Sequence, residues 1–126
     1  MGDSVEVTWS FIVDYPPGWG VRQHSHDYFQ MYYCTSGCGT MLLGEDSVEL
    51  SENSCLVIHP GQIHELYPVE NGRLQVIDTK FYVHNEEVKN SLLQVSQLQT
   101  IADPHFRMLQ QSTRNEWGTG APYAKE

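Results

Sequence analysis

Positive charge is scarce in these 126 residues: seven lysines and arginines stand against sixteen aspartates and glutamates, for a formal net charge of −9. Such a balance repels a phosphate backbone and an anionic membrane alike, so the segment is not expected to grip nucleic acid or lipid itself. Long apolar runs are missing too. None exceeds four residues, as at Cys55-Leu56-Val57-Ile58, which excludes a transmembrane helix and a signal-peptide core. Cysteine is limited to Cys34, Cys38 and Cys55, an odd number without metal-ligand spacing, and we read these as reduced thiols of a cytoplasmic protein. No Ser-His-Asp, Walker-type or dinucleotide-binding signature is present; Gly37-Cys38-Gly39 lacks the third glycine and the helix that would give it meaning. There is no internal repeat and no low-complexity tract, and the length suits one domain that buries roughly two-thirds of its unfolded surface.

What is there reads mainly as β structure. Val5, Val7, Trp9, Phe11 and Val13 alternate with more polar neighbours and predict a half-buried strand. A loop follows at Asp14 to Gly20, which holds two prolines and two glycines. From Arg22 to about Val83, runs rich in Val, Ile, Tyr, Phe and Thr are cut by turn chemistry at Ser36-Gly37-Cys38-Gly39, Gly44-Glu45-Asp46, Ser51-Glu52-Asn53, Pro60-Gly61 and Glu70-Asn71-Gly72. About six or seven strands fit, at a turn spacing of roughly eight to twelve residues that indicates an antiparallel sandwich or barrel.

Beyond Val83 the pattern turns helical. Asn85-Glu86-Glu87 looks like an N-cap with an acidic first turn, and a short helix is predicted to about Gln94. Asp103 and Pro104 open a second predicted helix, in which Phe106, Leu109, Thr113 and Trp117 share a face until Gly118. That face packs either on its own barrel or on a second copy, making these four residues the candidate homodimer interface. Gly120-Ala121-Pro122-Tyr123 restarts a helix that ends within a turn, so a longer parent protein is expected. The expected organisation is residues 1–84 as a barrel with an N-terminal arm and 85–126 as a helical linker and dimerisation segment.

The densest polar signal lies at Gly18, His24, His26, Gln30 and Gly37, followed by Pro60-Gly61 and His64. If His24, His26 and Gln30 lie on one strand they face the same way, and His64 on a later run can approach them. Four convergent donors make a metal site or a polar ligand pocket. Tyr28 and Tyr32 share the parity of Gln30 and add flat walls, whereas Phe29, Met31 and Tyr33 face away as core. Arg22 is a candidate anchor for an anionic ligand. His59, His84 and His105 fall outside the pattern, and Lys80 reads as the structural partner of an acid such as Asp78 or Glu65.

On these residues the chain resembles the cupin superfamily. The first cupin motif is glycine, His-x-His, glutamate and glycine in a fixed register, and Gly18, His24, His26, Gln30 and Gly37 fill it with only the glutamate changed. The second motif is degenerate: Asn53, His59, Gly61, His64 and Pro68 occupy its places, and only Gly61 and His64 agree. More narrowly, Arg22 to Tyr28, Ser36-Gly37-Cys38-Gly39, Ile58 to His64, Thr79 to Val83 and the trailing helix resemble the N-terminal sensing domains of AraC-type transcription regulators. That resemblance implies a double-stranded β-helix (jelly-roll) barrel followed by C-terminal helices, with a DNA-binding domain further along the parent chain.

The resemblance also implies a non-enzymatic function, effector sensing and dimerisation; on the chemistry of the residues themselves, a sugar or small acid is expected at Arg22, His24, His26, Tyr28, Gln30, Tyr32 and His64. No cofactor is required on this reading. A divalent metal (Zn, Ni, Fe or Mn) held by His24, His26, His64 and Gln30 is the competing use of the same residues, weakened because Gln30 brings no charge to offset the ion's. The rival function is a small metallocupin isomerase or dioxygenase. Against it stands the lack of an evident acid or base among the inward strand positions, since Glu65 follows His64 directly and points away.

Overall fold

The computed structural model describes residues 4–70 and 72–103. Among these described residues nine strands and one helix follow in order: β1 (Val5–Tyr15), β2 (Val21–His24), β3 (Phe29–Ser36), β4 (Gly39–Leu43), β5 (Asp46–Leu50), β6 (Ser54–Ile58), β7 (His64–Leu66), β8 (Leu74–Val83), α1 (Glu86–Gln94) and β9 (Leu98–Thr100). They form a five-stranded sheet in the order β1-β8-β3-β6-β9 and a four-stranded sheet in the order β2-β7-β4-β5. Every pairing is antiparallel, and the seven strands between residues 21 and 83 agree with the spacing of turns in the sequence.

Alternation along each strand builds the core. Val13 and Tyr15 of β1, Tyr32 and Cys34 of β3, Leu56 and Ile58 of β6, and Leu74 and Val76 of β8 meet Val21, Met41, Leu43, Leu50 and Leu66 of the other sheet. The opposite face of the five-stranded sheet carries a smaller cluster of Tyr33, Cys55 and Ile77, with Ile12, Met31 and Ile101 against it. The inward parity of Tyr32 and the outward parity of Met31 and Tyr33 are therefore as the alternation predicts.

The uniform face expected for β1 is corrected by a bulge. The register shifts between Val7 and Trp9, so Val5 and Val7 pair with Val83 and Phe81, whereas Trp9, Phe11 and Val13 pair with Lys80, Asp78 and Val76. One extra residue moves every later side chain to the other face of a period-2 strand. Trp9 and Val13 thus join the inner core while Val5 stays exposed.

Asn85 caps α1 as expected, its side-chain oxygen accepting from the Val88 amide. Strand β9, which the sequence reading omits, adds Leu98–Thr100 to β6 beyond this helix. The second predicted helix and its candidate dimer residues Phe106, Leu109, Thr113 and Trp117 lie outside the described residues. No helix among the described residues is long and apolar enough to cross a membrane.

The three thiols form no disulfide and differ in exposure. Cys34 and Cys55 are buried and Cys38 is exposed, and burial pushes the Cys55 thiol up to about 11. In native protein at pH 8 a thiol reagent is expected to label Cys38 alone, with Cys34 and Cys55 reacting only after unfolding. Labelling of Cys55 as fast as Cys38 would contradict the packing.

Candidate functional site

Three histidines converge at one end of the barrel. His24 ends β2 and His64 begins β7, and the two are direct cross-strand partners, which places their ring centroids 4.2 Å apart. His26 is not on the strand with His24, as parity had it; β2 stops at His24 and His26 sits in the loop before β3. A different device brings it in. The Gly61 amide of the Pro60-Gly61 turn donates to the His26 carbonyl at 2.7 Å, tying that loop to the segment leading into His64. The turn needs a residue at φ +78°, which glycine adopts without strain. The His26 ring then stands 5.6 Å from His24 and 4.9 Å from His64, and stacks on Tyr28 at 3.8 Å with 4° between planes.

Each imidazole is oriented by a backbone carbonyl. Nδ1 of His24 donates to the Arg22 carbonyl at 2.7 Å, Nδ1 of His26 to that of Tyr28 at 3.0 Å, and Nδ1 of His64 to that of Gln62 at 2.9 Å. A proton held on Nδ1 leaves Nε2 as the lone-pair atom, the tautomer that metal-binding histidines adopt. The ligand atoms that the three rings can offer lie within 4.8 Å of one another. The three histidines therefore fit a borderline divalent ion, and a hydrogen-bonding ligand equally.

Gln30 is the fourth member, 2 % exposed. Its Oε1 stands 2.8 Å from Nε2 of His26, and its Nε2 donates to Oδ1 of Asp78 at 2.8 Å. Asp78 is fully buried on β8, and this corrects the expectation that no acid lies among the inward positions. The alternation that turns Leu74 and Val76 inward carries Asp78 and Lys80 with them, so the signal was present in the same run. Lys80 Nζ lies over Trp9, 4.4 Å from the ring centroid, and 5.9 Å from that of Tyr28.

The remaining sequence candidates are dispersed. Tyr28 lines the cluster through its stack on His26 and an edge contact to Tyr82 at 6.0 Å. Tyr32 lies in the inner core, its hydroxyl 3.4 Å from that of Tyr15. Arg22 contributes its carbonyl to His24, while its exposed side chain lines a shallow groove with Gly20, Glu65 and Pro68. His59 borders Phe29, and burial lowers its pKa; His84 pairs with Glu6 at 2.8 Å.

The family described as the AraC-like ligand binding domain matches residues 10–115. The chain belongs to that family. This AraC-like domain is also similar in structure to a predicted oxalate decarboxylase from Thermotoga maritima, with 20% identity, 61% of this chain and 68% of that one covered, and a TM-score of 0.57. A cupin protein from Bacteroides fragilis shares 24% identity over 62% of this chain and 65% of its own, with a TM-score of 0.52. A cupin superfamily protein from Desulfitobacterium hafniense shares 15% over 65% and 71%, with a TM-score of 0.53. At these identities the likeness establishes the cupin fold alone. No curated protein matches the chain.

The cupin motif positions acquire physical reasons. Asn53 stands where the second motif has glycine and holds φ +74°, a left-handed conformation that asparagine tolerates better than other side chains. Gln30, at the glutamate position of the first motif, is tied to a carboxylate one hydrogen bond away.

Proposed function

We propose that this AraC-like domain is the non-enzymatic effector sensor of a cytoplasmic transcription regulator, taking a small polar molecule, a sugar or a small acid, at the histidine cluster. The observation that carries the reading is the convergence of His24, His26 and His64 within a chain matched to a ligand-binding family over residues 10–115. The imidazole Nε2 atoms and the Gln30 oxygen orient the ligand, with Tyr28 stacked behind His26 as support. The signal passes to the N-terminal arm, to a homodimer interface at Phe106, Leu109, Thr113 and Trp117, or to both, and a DNA-binding domain elsewhere in the parent chain reports it. Such a device requires the effector to bind one arrangement better than the other, since equal affinity shifts nothing.

A thermal-shift screen of sugars, aromatic acids and divalent metals tests this. A cognate effector at a hundred times its Kd adds about 2.7 kcal/mol, a rise of about 10 °C for a domain of this size. The rise is expected to vanish in His26→Ala. A screen in which no organic compound stabilises the protein would remove the sensor reading.

A metal-dependent cupin enzyme is the second reading, favoured by the buried inward carboxylate of Asp78. Any bound metal would be held by His24, His26, His64 and Gln30 and would supply Lewis acidity there.

A further inference from the structure

Gln30 and His26 meet in a way that neutral groups do not favour. The Gln30 carboxamide has a fixed orientation, because its NH2 donates to the Asp78 carboxylate at 2.8 Å and only its oxygen can then face His26. His26 already spends its Nδ1 proton on the Tyr28 carbonyl. In the neutral imidazole Nε2 is a lone pair, and it faces the Gln30 oxygen, another lone-pair atom, at 2.8 Å. Two acceptors in contact inside a protein repel unless a positive species lies beside both. Two donors each about 2.1 Å from one ion, at angles of about 90° to 109°, stand about 3.0–3.4 Å apart. The observed 2.8 Å is just below that span, so a shift of a few tenths of an ångström lets both atoms share a cation.

We infer that Asp78, acting through Gln30, is a positioning residue of the histidine cluster: it aims the carboxamide oxygen at a divalent cation and supplies, one hydrogen bond removed, the negative charge that three imidazoles lack. Asp78 is fully buried, and its hydrogen bond to Gln30 leads on to His26 and the cluster. The glutamine at the glutamate position of the cupin motif then moves the site's charge outward by one residue without discarding it. The inference rests on the histidine cluster being a binding site, and not on which organic effector it takes.

Cobalt(II) chloride titrated into the metal-free 126-residue chain, read by visible absorption and calorimetry, tests it. Wild-type protein is expected to bind one cobalt with a ligand-field spectrum. Asp78→Asn keeps a hydrogen-bond acceptor but removes the charge, and should weaken cobalt binding about 10- to 100-fold. The double variant Gln30→Glu with Asp78→Asn returns a carboxylate to the cluster, next to a side-chain amide, and should bring affinity back to within a few-fold of wild type. That rescue distinguishes positioning from structural support, and it remains decisive if Asp78→Asn alone fails to fold. Wild-type affinity in Asp78→Asn, or no rescue in a folded double variant, overturns the role of Asp78. Absence of cobalt binding in the wild type also overturns it, with a second ring proton on His26 then meeting the geometry; the effector reading stands or falls separately on the organic compounds of the thermal-shift screen.

Discussion

Gly37→Ala is expected to destabilise the domain by about 2–4 kcal/mol, lowering the melting temperature by roughly 8–16 °C. Two separate penalties add at this turn between β3 and β4. Gly37 has φ +84°, a conformation that strains any residue with a Cβ. A Cβ built there would also stand 1.8 Å from the Arg73 carbonyl oxygen and 2.9 Å from its carbon, both backbone atoms at the approach to β8. Backbone cannot swing aside as a flexible side chain can, so the start of β8 must move, together with Leu74 and Val76 of the core. Gly44→Ala is the matched control. Gly44 has φ +59°, but a Cβ there meets nothing within 4 Å, so only the conformational penalty of about 1–2 kcal/mol applies. Thermal unfolding of the two variants side by side decides the matter, because equal losses would mean that close approach to β8 adds nothing.

His64→Ala is expected to abolish occupancy of the cluster, with affinity for divalent cobalt or for the cognate effector falling about 100-fold or more. His64 is the most buried of the three histidines at 1 % exposure, and it contacts both other rings. Its Nδ1 proton is fixed by the Gln62 carbonyl, so the ring arrives with its orientation already set. Removing it opens a gap beside His24 and subtracts one of three donors. Calorimetric titration of the variant against wild type measures the loss, and circular dichroism establishes that the fold is retained. A folded variant that binds as the wild type does would show that the cluster is not the binding site.

Much of the architecture was legible in residue order, because a strand announces its faces by alternation and its ends by turn chemistry. Tyr32 inward and Tyr33 outward, the turns at Gly37, Gly44 and Gly61, and the cap at Asn85 all follow from a window of a few residues. The cupin spacing also pointed to His24, His26 and His64 together. His26 nevertheless reaches the cluster from a loop held by the Gly61 amide, and not as a strand neighbour of His24. Nothing local to Ser25 or Asp27 says that the strand stops.

By itself the sequence determined a β-rich chain of the cupin type, its turn positions and the candidates His24, His26, Gln30 and His64, since alternation, turn chemistry and motif spacing are all properties of residue order. Tertiary structure alone decided which strands lie side by side, and with that the features that cross between them. The bulge at Thr8 redirects half of β1 because β8 sets the register against it. Asp78 reaches Gln30 across 48 residues of chain because β3 and β8 pair. Alternation gives a side chain's face but not its neighbour, and the charge behind the histidines is a property of neighbours.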